Sequence, residues 1–407
     1  MMNDMAKDGD MKGANDKKLV PELRFPEFEK DGEWHIEKLC NIANTFSGGT
    51  PSVNNRDYYN GVIPFIRSGE INNTITELSL THLGVEKSSA KIVEKGTILY
   101  ALYGATSGEV AISKIRGAIN QAILAVIPNA NYSTRYVYQF LKKEKTVITN
   151  HFLQGGQGNL SGTIINNLSI PFPSYIEQQK IAECLSSIDE EISAIKEKVE
   201  QLKVHKKGLM QKLFPITGKF VPELRFPEFE KDKEWKEMSI ADYCDVFTGG
   251  EAPKNISKEH NNIMKYPIYA NGKDVYGYTD SYRIDKDAVC ISSIGANTGA
   301  IFYYKAFFTP IIRLKVVIPK DNTVQTPYLY YFLTTRKITG KKDAGIPNLN
   351  ANDIKIILIM YPSSPAEQQK IAECLLSIDE LISLYESKVT LLEQHKRGLM
   401  QQLFPKL

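Results

Sequence analysis

The stretch EQQKIAECLSSIDEEIS, Glu177–Ser193, returns as EQQKIAECLLSIDELIS at Glu367–Ser383. Reading onward from the first copy, the apolar positions are Ile181, Leu185, Ile188, Ile192, Ile195, Val199 and Leu202, in alternating steps of four and three. The second copy gives Ile371, Leu375, Ile378, Ile382, Tyr385, Val389 and Leu392 in the same steps. That is a heptad seam, a single narrow apolar stripe that a helix buries against another helix. One stripe alone would be left exposed, whereas two on one chain hold each other at high effective concentration. The expectation is two long helices paired in opposite directions, with the copies related by an approximate two-fold.

The next seam position is lysine in both copies, Lys206 and Lys396, and Gly208 and Gly398 beyond it are expected to weaken or end the seam. Proline-rich approaches, IPFPSYIEQQK and YPSSPAEQQK, stop the preceding structure and start each helix. From Ile181 to Leu202 is about 32 Å at 1.5 Å per residue, close to the ~34 Å of one DNA turn.

The duplication covers far more than the helices. VPELRFPEFEKDGEW at Val20 recurs as VPELRFPEFEKDKEW at Val221, FSGG at Phe46 as FTGG at Phe247, and YGATSGEVAI at Tyr103 as IGANTGAIFY at Ile294. AILAVIP, ending at Pro128, matches RLKVVIP, ending at Pro319. GNLSGTIINNLSIPFP near Gly158 matches PNLNANDIKIILIMYP near Pro347, and both copies close on LFP at Phe214 and Phe404. A period of about two hundred residues exceeds that of a solenoid repeat. The ends match and the middles do not: between FxGG and GAxxG the first copy is about ten residues longer. A fixed frame holding two differently tuned modules fits that pattern.

Within each module, runs such as GTILYALYG (Gly96–Gly104), DAVCISSIG (Asp287–Gly295), QAILAVIP and IIRLKVVIP read as short strands. A short aromatic helix with a basic tip follows, STRYVYQFLKKEK in one copy and TPYLYYFLTTRK in the other. The fold class expected is mixed α/β (α+β): two domains joined by two long antiparallel coiled-coil helices, as a pseudo-two-fold internal repeat.

Length and charge bound the function. With 407 residues the chain is too long for one core, and its 42% hydrophobic and 24% charged composition is that of a globular protein. No apolar run reaches the roughly twenty residues of a membrane span, and the polar leader is not a signal peptide. Five cysteines without a C-x-x-C pair suggest neither disulfides nor zinc, and a reducing cytoplasm fits best. The net charge is +3, but Ile36–Ile176 and Lys236–Ala366 each carry about +4, so the basic character sits in the two modules.

Comparing the copies isolates candidate DNA-contact residues. After IPFI come Arg67, Ser68, Gly69 and Glu70; after YPIY, whose last residue is Tyr269, come Ala270, Asn271, Gly272 and Lys273. The frame agrees while the tips differ. The first GAxxG segment offers Tyr103, Thr106 and Ser107, and the last two correspond to Asn297 and Thr298 of the second. Gln154, Gln157 and Asn159 have the counterparts Lys341, Lys342 and Asn348. Arg, Lys, Asn and Gln pair bidentately with guanine or adenine edges, each good pair discriminating by about 1–3 kcal/mol. Different tips would read different bases.

Catalytic signatures are missing. There is no N-P-P-Y-like methyltransferase motif, no dinucleotide fingerprint and no phosphate-binding P-loop. The six histidines lack metal-ligand spacing. PEFEK sets acids beside a lysine, yet its recurrence beside Trp34 and Trp235 reads more simply as packing.

Together the LRFPEF…W lead-in, FSGGTP, GATSG, NLSGTIINNLSIPFP and above all EQQKIAECL resemble the specificity subunit of bacterial type I restriction-modification systems. The second module departs with FTGGEAP for FSGGTP. The resemblance implies a leader at residues 1–19, target-recognition domains at 20–176 and 215–366, and conserved helical regions at 177–214 and 367–407. Each recognition domain would read one half of a bipartite double-stranded DNA site, and the helices would set the unspecified gap. It also implies partners: two modification subunits carrying S-adenosylmethionine that methylate adenine, and restriction subunits that use ATP and Mg. No cofactor or catalytic group is then expected on this chain. The competing readings are a self-sufficient DNA methyltransferase and a coiled-coil scaffold with two heads that bind something other than DNA.

Overall fold

The computed structural model describes residues 19–153, 159–339, 341–343 and 346–406, with backbone alone for 153, 341–343, 346 and 347. The chain divides into two compact units. One comprises the residues up to Ile195 together with Lys388–Leu407, and the other is Lys196–Ser387.

In the first unit a four-stranded antiparallel sheet runs in the order Ala43–Ser47, Ile123–Pro128, Ile98–Ala101, Val110–Ile112. Ile98–Ala101 is buried at every position, because both faces of the sheet are covered. Ile98 and Tyr100 pack with Tyr136, Val137, Phe140 and Leu141 of helix α1 (Thr134–Leu153). Leu99 and Ala101 pack with Ile66 and Ile119, which belong to a second sheet ordered Leu78–Leu80, Tyr59–Ile66, Gly117–Ile119, Lys91–Val93.

The second unit repeats this plan. Its main sheet runs Cys244–Thr248, Lys315–Pro319, Ala288–Ile291, Ile301–Tyr304, and the pairing Cys244↔Pro319 matches Ala43↔Pro128 of the first. Divergence falls in the second sheet, which has three strands here: Val275–Thr279, Tyr266–Tyr269 and Thr309–Pro310. That is where the sequences differ most in length.

The module helices are not equally short, contrary to the sequence expectation. Helix α1 has 20 residues. Its counterpart α3 (Thr326–Thr334) has nine; we number the first long helix, Tyr175–Leu213, as α2 and the second, Pro365–Leu403, as α4. At the end of α3 the hydroxyls of Thr334 and Thr335 donate back to the carbonyls of Tyr331 and Phe332 at 2.7 Å.

Helices α2 and α4 each have 39 residues. Each gives part of its length to each unit. In the first unit Ile181 and Leu185 share a core with Met400, Leu403 and Phe404, Asp189 meets Lys396, and Glu191 meets Lys388 at 2.8 Å. Numbers rise along one helix as they fall along the other, so the pair is antiparallel. The second unit shows the same order: Val199 packs with Ile378 and Ile382, Lys203 meets Glu386 at 3.0 Å, and Lys206 meets Asp379 at 2.6 Å. Of the fourteen seam residues none is exposed; Ile188, Leu202, Tyr385 and Leu392 are half-buried and the rest buried.

The seam lysines are the polar positions of this interface. Lys396 is 6% exposed, with its ammonium 2.5 Å from Asp189 and 2.9 Å from the amide oxygen of Gln139 on α1. Burial pushes Lys396 down to about 8, against the pull of Asp189. Burial also acts to raise Asp189, but hydrogen bonds from Lys396 and Gln139 outweigh it and hold the carboxyl below its usual range. In the second unit Lys206 lies over the Tyr331 ring, and the Tyr331 hydroxyl donates to Asp379 at 2.9 Å.

Gly208 and Gly398 do not end the helices, which run on to Leu213 and Leu403. Leu213 and Phe214 bury in the core of the second unit, and Leu403 and Phe404 in that of the first, which carries each helix past its glycine. Tertiary packing exceeds the roughly 1 kcal/mol helix penalty of glycine. A Cβ at either glycine meets nothing within 4 Å. Gly208→Ala and Gly398→Ala are therefore expected to stabilise the protein by about 0.5–1 kcal/mol each in denaturant titrations.

Asp189→Asn should cost about 3 kcal/mol by stranding a buried ammonium, whereas Lys396→Met should cost less, because Asp189 is partly exposed and keeps Lys142 and Gln139 as partners. Because the folded-state value of Lys396 is depressed, the unfolded chain holds the extra proton between about pH 8 and the ordinary lysine range. Wild-type stability should accordingly rise relative to Lys396→Met across that window, as measured by melts at pH 8 and pH 10.

Candidate nucleic-acid interface

Both GAxxG segments are tight hairpin loops at one edge of the main sheet. In the first, Gly104 and Gly108 have φ of 91° and 83°, the Ser107 amide donates to the Gly104 carbonyl at 3.1 Å, and the Gly108 amide to Ala101 at 2.8 Å. In the second, Gly295 and Gly299 have φ of 85° and 89°, with Thr298 donating to Gly295 and Gly299 to Ser292. Only glycine takes these left-handed angles without a Cβ penalty.

Other loops are tied to the same edge. Leu160 donates its amide to the Leu102 carbonyl at 3.0 Å, and Leu349 to Ser293 at 2.9 Å, which docks the NL dipeptide of each copy on its hairpin. The FxGG turns close it from the other side. A Cβ on Gly48 would lie 1.8 Å from the Ile119 carbonyl oxygen, and one on Gly249 2.9 Å from the Ile311 amide. These approaches explain the glycines shared by both copies.

In the first module the hairpin, the Arg67 loop and Asn159 come together at this edge. Asn159 is exposed; Gln154 and Gln157 lie outside the described residues. Arg67 is not a free cation. It is 38% exposed, its Nε donates to Glu70 at 2.9 Å, and its Nη2 is shared with Glu77. The Glu70 carboxylate also accepts from the Arg67 amide at 3.2 Å and the Glu77 amide at 2.9 Å. Burial raises Glu70, yet these donors hold it below its usual range, and the carboxylates keep Arg67 firmly protonated. Arg67 and Glu70 thus form a clamp that shapes the loop around half-buried Ser68. Ser107 turns inward to donate to the Leu102 carbonyl at 2.9 Å, while Tyr103 and Thr106 are half-buried.

In the second module Asn271 is a strut. Its side chain donates to the Ile312 carbonyl at 2.5 Å and accepts from the Ser293 amide at 3.0 Å, and its carbonyl accepts from Asn297 at 3.3 Å. Tyr269 is stacked on Tyr304 with centroids 3.6 Å apart, so its ring is committed to packing. Asn297 is exposed, Thr298 is half-buried with its hydroxyl on the Gly295 carbonyl, and half-buried Asn348 bridges to Ile294. Lys341 belongs to a strand paired with Ile346–Asn348; the side chains of Lys341 and Lys342 are not described. Lys273 is set apart from this edge. It is exposed and lines a cleft of about 520 Å³ with Lys203, Lys206 and Lys207 of α2.

The family described as the type I restriction modification DNA specificity domain matches residues 31–204 and again 232–394. The chain belongs to that family. It is 31% identical over 404 residues to the MjaIX type I restriction enzyme specificity subunit of Methanocaldococcus jannaschii, covering 91% of this chain and 92% of that one. It is 28% identical over 177 residues to the EcoR124I/EcoR124II specificity subunit of Escherichia coli, 41% of this chain and 44% of that one. The crystal structure of the type I restriction-modification S subunit from M. genitalium superimposes with a TM-score of 0.70 at 18% identity, over 96% of this chain and all of that chain, a likeness of fold.

Sequence reading missed Arg313, an exposed arginine in the turn Ile311–Leu314 at the same edge. Its signal was the RLKVVIP segment, aligned to AILAVIP only for its strand. Among the described residues no helix is long and apolar enough to cross a membrane, and no group of three His, Cys, Asp or Glu is placed to hold a metal.

The two kinds of glycine should be separable. Gly104 needs its angle but has open space around it, so Gly104→Ala should cost about 1–2 kcal/mol. A Cβ on Gly299 would lie 2.0 Å from the Ile338 carbonyl oxygen. Gly299→Ala should therefore cost more, read as a larger loss of melting temperature.

Proposed function

We propose that this chain is the DNA-recognition subunit of a type I restriction-modification assembly, that each module reads one half of a bipartite site, and that the helix pair sets the gap. The observation that carries this reading is the contrast within one edge. The two modules share their glycine turns and docking hydrogen bonds there, while the side chains at the tips differ. Shared backbone and divergent tips suit two readers of different base sequences.

The assembly with partners rests on a second contrast. Exposed residues of the lead-in and of the start of each long helix, including Pro26, Glu29, Gln179 and Glu183, recur unchanged at Pro227, Glu230, Gln369 and Glu373. Solvent alone imposes no such identity. Two like surfaces suit two copies of one partner, which we take to be modification subunits holding S-adenosylmethionine; ATP and Mg would belong to restriction subunits. On this reading the chain works in the cytoplasm and supplies no catalytic group. Its modest charge then suits a subunit whose partners complete the grip on phosphate.

The test is to co-express the chain with a modification subunit and map methylated adenines. A motif with two defined halves is expected. Exchanging Arg67–Glu70 should change one half, and exchanging Ala270–Lys273 the other. A change of the same half by both exchanges would refute one module per half-site, and methyl transfer by the chain alone would refute the non-catalytic assignment.

A further inference from the structure

The turn Ile311–Leu314 is the most constrained backbone at the reading edge. Ile312 and Arg313 both have left-handed φ, 51° and 58°, a conformation that a β-branched residue adopts rarely. Every neighbouring loop holds it there. The amides of Ile311, Ile312 and Arg313 donate to the carbonyls of Tyr269, Gly250 and Gly249 at 2.9, 3.0 and 3.1 Å. Asn271 caps the Ile312 carbonyl, and the Ser293 hydroxyl donates to the Arg313 carbonyl at 2.7 Å. FTGG, the Asn271 loop and the strand leading into GANTG thus all serve to hold one exposed arginine. Strain of this kind persists where surrounding structure over-determines it, and it concentrates at binding sites.

The side chain is available. Among the described residues no carboxylate pairs with Arg313, unlike Arg67, which two glutamates engage. Two residues on, Lys315 is 7% exposed and has the Thr248 hydroxyl, at 3.1 Å, as its hydrogen-bond acceptor. Burial lowers its proton affinity, and the charge of Arg313 lowers it further. At the equivalent position the first module has Leu124. The second module thus carries an arginine and a lysine where the first has alanine and leucine.

We infer that Arg313 is the specificity-determining side chain of the second module and that it reads a guanine, whose O6 and N7 accept the two donors of a guanidinium fork. The inference rests on the proposed role of the chain as a DNA reader. A rigid backbone suits base reading, since a fork that must match two acceptors gains from a fixed origin, whereas a phosphate contact does not need one. In the same register Arg313 falls on Ala122 of the first module, and the preceding Gln121, whose amide oxygen lies 2.5 Å from the Thr50 hydroxyl, falls on Ile312, so the two turns differ in which position carries the polar side chain.

The test uses the chain assembled with a modification subunit and a randomised duplex library. Arg313→Ala should lower the preference for guanine at one position by about ten- to a hundredfold and leave the other half-site unchanged. Arg313→Gln should shift that position toward adenine, and both variants should keep the wild-type melting temperature. If Arg313→Ala retains the guanine while both halves stay defined, Arg313 is not the reader although the chain still reads DNA. Uniform weakening over all sequences, with a salt slope reduced by about one, would make Arg313 a phosphate anchor and overturn the inference. A wild-type complex with no bipartite preference would remove the recognition role itself.

Discussion

Each long helix begins on a buried ion pair. Glu177, 1% exposed in the first turn of α2, receives Nε and Nη2 of Arg24 at 2.8 and 2.7 Å. Glu367 receives the same atoms of Arg225 at 2.7 Å each. The remaining guanidinium donors go to carbonyls of the lead-in, Asp31 and Gly32 in one copy and Asp232 and Lys233 in the other. A buried carboxylate without its partner would cost several kcal/mol, and the helix N-terminus adds a modest further attraction for negative charge. The lead-in must therefore fold onto the helix before either charge can be buried. This accounts for the recurrence of Arg24 with Glu177 and of Arg225 with Glu367, the two halves of one interaction in each copy.

The next residue extends the constraint into the module. Gln178 accepts from the Ser133 amide just before α1 and donates to the Pro173 carbonyl; Gln368 accepts from the Gln325 amide before α3 and donates to Thr323 and Pro362. Lead-in, module helix and long helix are thereby fixed at one point in each unit. The module helix packs one face of the main sheet, and the hairpin edge belongs to that sheet. Variation at the tips can thus proceed without disturbing the frame.

How much of this was legible in the sequence follows from the range of each interaction. The seam repeats every few residues, so Ile181 through Leu202 announced a helix and its partner without any structure. The GAxxG and FxGG turns were visible as glycines, though not their reason, which is contact with Ile338 or Ile119 far along the chain. The ion pairs of Arg24 with Glu177 and of Lys396 with Asp189 join residues 153 and 207 apart, and no period encodes them. Arg67 illustrates the converse, a contact that the sequence does not announce. The sequence shows an arginine on a variable loop, and the structure adds that Glu70 and Glu77 hold it in place there.

The seam lysines bear on why the helices pair in one register. An all-apolar seam could slide by a heptad at little cost, since one isoleucine is replaced by another. The seam ammoniums resist such a slip, because Lys396 would leave Asp189 and Lys206 would leave Asp379. Such a pair adds little net stability, as its desolvation offsets most of its attraction. Its effect is on the alternatives: any slipped register takes each seam lysine from its aspartate. If the helices set the gap between two half-sites, that penalty is what keeps the gap constant. Because Lys206 and Lys396 impose it independently, one in each unit, a register error would have to be made in both at once.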